Sequence, residues 1–182
     1  MNTNNYTFFN KFPTIKADEF FLREIELYDA KNFLEYMTNP NVVEYLSEED
    51  APTDYASAID ELSYWRGLFI NKRSIYWGIE KDKKLIGTCG YNNWSKTHKR
   101  CEISYDLSYD YWSQGIMSKV VSIIVEFAFD KMGVNRVQST VATDNIGSIK
   151  VLERNNFICE GKLSKFGILN GKEKDFYMYS RV

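Results

Sequence analysis

The stretch Tyr111-Trp112-Ser113-Gln114-Gly115-Ile116-Met117-Ser118 decides the fold, because the hydrophobic period changes across it. On its N-terminal side, Arg100 to Ser108 alternates. Ile103, Tyr105 and Leu107 fall on one face and Glu102, Ser104 and Asp106 on the other, which predicts a strand. On its C-terminal side, Met117, Val120, Val121, Ile124, Val125 and Ala128 keep the i, i+3, i+4, i+7 spacing, which predicts a helix closed by Gly133. A glycine loop between strand and helix turns backbone N–H groups toward one point, and the helix dipole adds to them. Such a place suits an anion, and a pyrophosphate in particular. The dipole alone contributes roughly 0.3–2 kcal/mol, so several N–H bonds must share the binding. Gly115 equally fits a plain strand-to-helix turn that needs its backbone freedom, and taken alone the loop does not choose.

The rest of the chain alternates in the same way. Phe20 to Leu27 reads as a first strand. Asp29 is a plausible cap for a helix toward Met37, which Asn39-Pro40 ends. A helical stretch begins near Val42. Thr53 or Asp54 caps a longer helix with Ala58, Ile59, Leu62, Trp65 and Phe69 on one side. Ser74 to Glu80 and Leu85 to Trp94 are strands joined by a charged turn. Beyond Gly133 come a strand at Arg136 to Ala142, a helix at Asn145 to Arg154, and an antiparallel pair around Asn170-Gly171. This order implies an α+β domain spanning residues 20–182, a mixed sheet with helices on its faces. Residues 1–19 show no period and read as an N-terminal arm, partly disordered.

Composition narrows the function classes. The chain has 182 residues, room for one domain with a full core. A net charge of −2 with no basic stripe argues against nucleic-acid binding. No apolar stretch reaches the length of a membrane span, and the polar start lacks a secretory h-region, so a cytoplasmic protein is expected. Cys89, Cys101 and Cys159 show no metal-ligand spacing and sit in apolar runs, where buried reduced thiols are expected and no metal site. The lone His98, between Lys96 and Lys99, reads as a surface loop residue.

Further motifs join the glycine loop. Thr143-Asp144-Asn145-Ile146-Gly147-Ser148 follows the next strand, and Val151-Leu152-Glu153-Arg154-Asn155-Asn156-Phe157 closes the next helix. Together with Trp112 to Met117, they resemble the GNAT superfamily of N-acetyltransferases. Within it they resemble the branch that acetylates the N-termini of ribosomal proteins. Phe21-Leu22-Arg23, Asp29-Ala30 and Asn39-Pro40 followed by Val43 extend the likeness from about Phe20 to the C-terminus.

The resemblance implies a splayed, mixed, mostly antiparallel sheet of seven strands with helices on both faces. The opening would lie between the strands at Glu102 to Ser108 and Arg136 to Ala142. Acetyl-CoA would be the cosubstrate, without metal. Its pantetheine arm would pair with exposed strand backbone at Tyr105 and Leu107. Its pyrophosphate would meet Gln114, Gly115, Ile116, Met117 and Ser118, and Asn145 would hold the thioester region from the other side. The acceptor would be an amine, either a protein N-terminus or a small molecule, and a non-catalytic acyl-CoA sensor is a reading of another class.

Transfer needs a base, because amines are mostly protonated at neutral pH. Glu102 is the candidate, with Asp106 as runner-up, and each is also readable as a solvated or turn-shaping carboxylate. A backbone N–H at Tyr105 to Leu107 would receive the oxyanion. Many superfamily members carry a tyrosine acid where this chain has Leu152. Ser148 is then the substitute donor to the thiolate, although a capping hydroxyl reads as well there. Asn92 and Trp94, at a polar strand end, are candidates for the acceptor pocket. Glu44, Glu48 and Glu49 would receive a cationic peptide, or are simply solvated. The final hairpin is where a homodimer would form, and nothing in the sequence decides it.

Overall fold

The computed structural model describes residues 6–47 and 51–182. Glu48 and Glu49 lie outside the described residues. The strands are β1 (Ile15–Lys16), β2 (Phe21–Arg23), β3 (Tyr76–Lys81), β4 (Lys84–Ser95), β5 (Arg100–Leu107), β6 (Arg136–Ala142), β7 (Ile158–Leu169) and β8 (Lys172–Arg181). The helices are α1 (Ala30–Met37), α2 (Pro40–Val43), α3 (Tyr55–Ile70), α4 (Ile116–Met132) and α5 (Ile146–Arg154). All strands join one sheet in the order β1-β2-β3-β4-β5-β6-β8-β7. The eighth strand, beyond the seven expected, is the two-residue β1, which pairs Ile15 with Leu22 at the sheet edge.

Side-chain alternation along the strands divides the interior into two cores. One, under α4 and α5, holds Trp77, Cys89, Tyr91, Cys101 and Ile103 from the strands. Against them pack Val120, Val121, Ile124 and Val125, all fully buried, each worth roughly 1.5–3 kcal/mol. The other core, under α1 to α3, gathers Ile25, Phe33, Tyr36, Leu62 and Tyr76. The Trp65 and Tyr76 rings stack there at 4.9 Å.

The arm belongs to the first core. Phe9 is buried, and Phe8, Phe12 and Ile15 pack against that core. The Trp77 indole donates to Pro13 O at 2.7 Å. From Tyr6 onward the arm is packed, because the high aromatic content begins there and finds rings to pack on.

Local signals explain most element ends. Asp54, not Thr53, caps α3: its carboxylate accepts from Ser57 N at 2.8 Å, and Ser57 Oγ accepts from Asp54 N at 3.0 Å. Gly133 ends α4 at φ 65°, Asn156 follows α5 at φ 61°, and Asn170-Gly171 turn the last hairpin at φ 49° and 69°. Asp29 stands at the expected N-cap of α1, but its side chain makes no cap bond there; it accepts from Glu26 N at 2.9 Å and takes the Arg23 guanidinium at 2.7 and 2.8 Å. Cys159 departs from expectation. It is exposed on β7, whose outer position leaves most of its residues in solvent, while Cys89 and Cys101 are buried.

Among the described residues, no helix is long and apolar enough to cross a membrane. None of their His, Cys, Asp and Glu side chains form a group of three or more that would hold a metal.

Candidate active site

The sheet opens at one place. β5 and β6 are the parallel neighbours, and they pair only from Arg100 to Glu102 against Arg136 to Gln138. Beyond Glu102 the edge of β5 has no ladder partner on the β6 side. A cleft of about 390 Å³ occupies the opening, lined by Tyr105 to Leu107, the Gly115 to Ser118 turn, and the start of α5. Val42, Tyr45 and Leu46, from α2 and just past it, form the remaining wall.

The two helix starts that meet in this cleft are finished differently. At α5, Asn145 is the cap, and its Oδ1 accepts from Ser148 N at 3.0 Å. At α4 the cap position is Gly115, with φ 79° and no side chain to accept from the first turn. The leading N–H groups of α4 therefore face the cleft without a side-chain cap, an arrangement that fits an anionic ligand. A Cβ on Gly115 would meet nothing within 4 Å, so the glycine serves the left-handed backbone, not a tight fit. Ile116 and Met117 are buried, so what they offer a ligand is backbone. Gln114 stands apart from the lining residues, with its amide turned back to Asp110 O at 2.9 Å. The Trp112 indole donates to Leu107 O at 2.8 Å and fixes the loop to the end of β5.

Lys150 and Arg154 also line the cleft, and neither is among the site residues expected from the sequence. Gly147, Lys150, Val151 and Arg154 follow the i, i+3, i+4, i+7 rule. The signal that could have found them is one helix face carrying two cations beside an anion site.

Tyr105 and Ser148 come together across the opening, with their hydroxyls 2.7 Å apart. Burial pushes the Tyr105 phenol above its ordinary value, and the bond to Ser148 opposes this. Leu152, in the position of the absent tyrosine, is fully buried in the first core.

Glu102 and Asp106 share the other face of β5. Asp106 is held by Tyr36 Oη at 2.6 Å, Thr88 N at 2.9 Å and Thr88 Oγ1 at 2.5 Å. Burial raises its carboxyl above the ordinary range, and the Thr88 and Tyr36 bonds act against that. Three donors leave it little freedom as a base. Glu102, at the last paired position before the opening, accepts among the described residues from Thr140 Oγ1 at 3.1 Å and Asn93 Nδ2 at 3.2 Å. Asn92 pairs with Glu102 in register and accepts from the Tyr76 hydroxyl. Ser104 lies beside that hydroxyl as well. Asn92 and Glu102 are thus brought together, on the face of the sheet opposite Tyr105.

Trp94 is not brought to this group. It packs toward the first core under the arm, 4.8 Å from the Tyr6 ring with Lys96 over it at 4.8 Å. The strand shifts register between Asn92 and Ser95, which carries Trp94 out of the acceptor-facing series. Glu44 lies near Tyr45 and Lys174 and is not among the cleft-lining residues. His98 is an exposed turn residue.

Comparison with known proteins identifies the family. Residues 19–158 match the acetyltransferase (GNAT) domain. The chain is 34% identical over 173 residues to the uncharacterized N-acetyltransferase YoaA of Bacillus subtilis (strain 168), covering 94% of this chain and 97% of that protein. It is 31% identical over 104 residues to the ribosomal-protein-serine acetyltransferase of Escherichia coli (strain K12), covering 57% and 58%. Its fold superposes with TM-score 0.86 on RimL, a ribosomal L7/L12 alpha-N-protein acetyltransferase solved with coenzyme A, at 20% identity over 93% of this chain and 98% of that one. The chain therefore belongs to the GNAT family of acetyltransferases and is an N-acetyltransferase.

Proposed function

We propose that this enzyme acetylates the N-terminal α-amine of a protein, with acetyl-CoA as donor, by direct attack in a ternary complex. One observation carries the reading: the sheet opening has uncapped helix N–H groups and two cations on one face, and a loosely held carboxylate, Glu102, on the other. Donor and acceptor then approach from opposite faces and meet at the gap beside Tyr105.

The choice of amine follows from acidity. An α-amine titrates near 8 and a lysine-type amine near 10.4, so at pH 7 roughly one in ten of the former and about one in 2,500 of the latter are free. An α-amine therefore asks less of a carboxylate base than a lysine-type amine does. The names of the Escherichia coli relative and of RimL point the same way.

Acetyl-CoA supplies the acetyl thioester. The first turn of α4, with Lys150 and Arg154, holds the phosphates, and the free edge of β5 pairs with the amide-bearing arm. Asn145 bounds the thioester region from the α5 side. Glu102 removes the ammonium proton, directly or through a water molecule. A backbone N–H of Tyr105 to Leu107 faces the developing oxyanion, and Ser148 faces the sulfur. Asn92 shapes the acceptor side next to Glu102.

Thiol release from acetyl-CoA, measured against a panel of amines, tests the acceptor. Short peptides with Ala, Ser or Met N-termini are expected to stimulate it, while spermidine and aminoglycosides leave it at the background rate. Stimulation by those small amines alone overturns the acceptor assignment.

A further inference from the structure

We infer that Tyr105 is a positioning residue for the leaving group: its phenol donates to Ser148 Oγ across the sheet opening and turns the serine proton toward the departing sulfur. The inference rests on the reading of Ser148 as the sulfur's donor and adds the group that aims it.

The geometry is specific. Tyr105 comes from β5 and Ser148 from α5, 43 residues apart in the chain, and their hydroxyls meet at 2.7 Å where the two strands no longer pair. Both residues line the cleft. The backbone of Ser148 is already fixed, because its N–H donates to Asn145 Oδ1 at 3.0 Å. Only the rotor of the hydroxyl remains to be set. Among the hydrogen bonds of the described residues, Tyr105 Oη is the one partner of Ser148 Oγ.

Acidity sets the direction of that bond. A phenol is a stronger acid than an aliphatic alcohol, so Tyr105 is the better donor and Ser148 the better acceptor. With one lone pair taken by Tyr105, the serine proton points away from the ring, toward the cleft. Burial keeps the phenol neutral at working pH, so its own proton stays in place.

The chemical step balances without a tyrosinate. The amine nitrogen bonds to the carbonyl carbon, and its extra proton leaves to Glu102 or to water. The C–S bond breaks with its electron pair on sulfur. The thiolate accepts a hydrogen bond from Ser148 Oγ–H and takes its proton from solvent on release. Full transfer from Tyr105 through Ser148 would leave a buried phenolate in exchange for a thiol of ordinary pKa about 8.5, which runs uphill. The pair therefore stabilises charge and does not relay a proton.

The experiment compares Tyr105→Phe, Ser148→Ala and the double variant, using whichever amine gives the strongest thiol release. It reads kcat, KM for acetyl-CoA, coenzyme A affinity by calorimetry, and Tm. Ser148→Ala is expected to lower kcat about 10- to 100-fold and Tyr105→Phe about 10-fold. The double variant is expected to lie within about 2-fold of Ser148→Ala, because the tyrosine acts only through the serine. Coenzyme A affinity is expected to change less than about 2-fold, and Phe retains the ring packing.

A slow Ser148→Ala with an unaffected Tyr105→Phe overturns this inference and leaves the serine assignment standing. An unaffected Ser148→Ala removes both. Losses that multiply in the double variant overturn the coupling. Losses confined to KM, affinity or Tm make the bond a structural latch and also overturn it. If only a small amine is acetylated, the acceptor assignment fails while the three variants still decide the role of Tyr105.

Discussion

Two carboxylates on one strand, four residues apart and on the same face, are treated in opposite ways by the fold. Along the open part of β5, Asp106 accepts three hydrogen bonds from Tyr36 and Thr88, joining α1, β4 and β5. At the edge of the opening, Glu102 accepts two longer ones from Asn93 and Thr140. Asp106 is bound too fully to change partners, and Glu102 is bound loosely enough to serve one. A carboxylate's neighbours, more than its place on a face, decide whether it shapes structure or does chemistry.

The largest effect should come from the structural member of the pair. Asp106→Ala leaves the Tyr36 hydroxyl and the Thr88 N–H and hydroxyl without their acceptor. A loss of about 3 kcal/mol is expected, a fall in Tm of roughly 6–12 °C for a domain of this size. Thermal unfolding checks it, and folded enzyme at lower temperature should keep its KM for acetyl-CoA. Glu102→Gln should show the reverse: kcat down about 100-fold, with stability within about 1 kcal/mol of the parent. Gln retains an oxygen for Thr140 Oγ1, so a fall in stability with activity preserved would exchange the roles of the two carboxylates.

How much of this contrast is legible in the sequence follows from the range of each interaction. The alternation of Glu102, Ser104 and Asp106 against Ile103, Tyr105 and Leu107 is local, and so is the helical period from Met117. Both translate directly into β5 and α4. The caps at Asp54 and Asn145 reach only three residues along the chain. Partners of greater separation leave no such trace. Nothing near Asp106 announces Tyr36, 70 residues away, and nothing near Ser148 announces Tyr105. The order of the arm is hidden for the same reason: its aromatic residues carry no period, and the rings they pack on, such as Phe69, Trp94 and Phe127, lie far along the chain. The polar neighbours Asn92 and Asn93 suggest an acceptor-facing Trp94, but a register shift after Asn92 separates it from them.

The open end of the strand can be tested through the loop that follows it. Gly115→Ala places a side chain at φ 79°, which strains the backbone by about 1 kcal/mol and disturbs the uncapped N–H groups. Coenzyme A affinity, measured by calorimetry, should fall about 5- to 10-fold. Because the added Cβ would touch nothing, an unchanged affinity would mean that the loop does not hold the phosphates.

The smallest effect asks which force governs Asp106, because burial and three donors pull its acidity in opposite directions. Burial is the stronger, and it holds the folded carboxyl above its ordinary value of 3.8. Between that value and the raised one, the folded state keeps a proton that the unfolded state has released. Stability from this group is then fully present below pH 3.8 and is lost as pH rises toward the folded value. Asp106→Asn removes the titration while keeping an oxygen for Tyr36 and Thr88 N. The stability of the parent minus that of Asp106→Asn, from urea unfolding, should decline from about pH 4 upward and level off above the folded value. Each tenfold difference in acidity between the folded and unfolded carboxyl contributes about 1.4 kcal/mol to that decline. Glu160, drawn down to about 2 by Arg136 and Ser180, titrates with the opposite sign in both proteins and cancels in the difference. A difference that instead grows with pH would mean that the donors outweigh burial, and that Asp106 folds as a stabilised carboxylate.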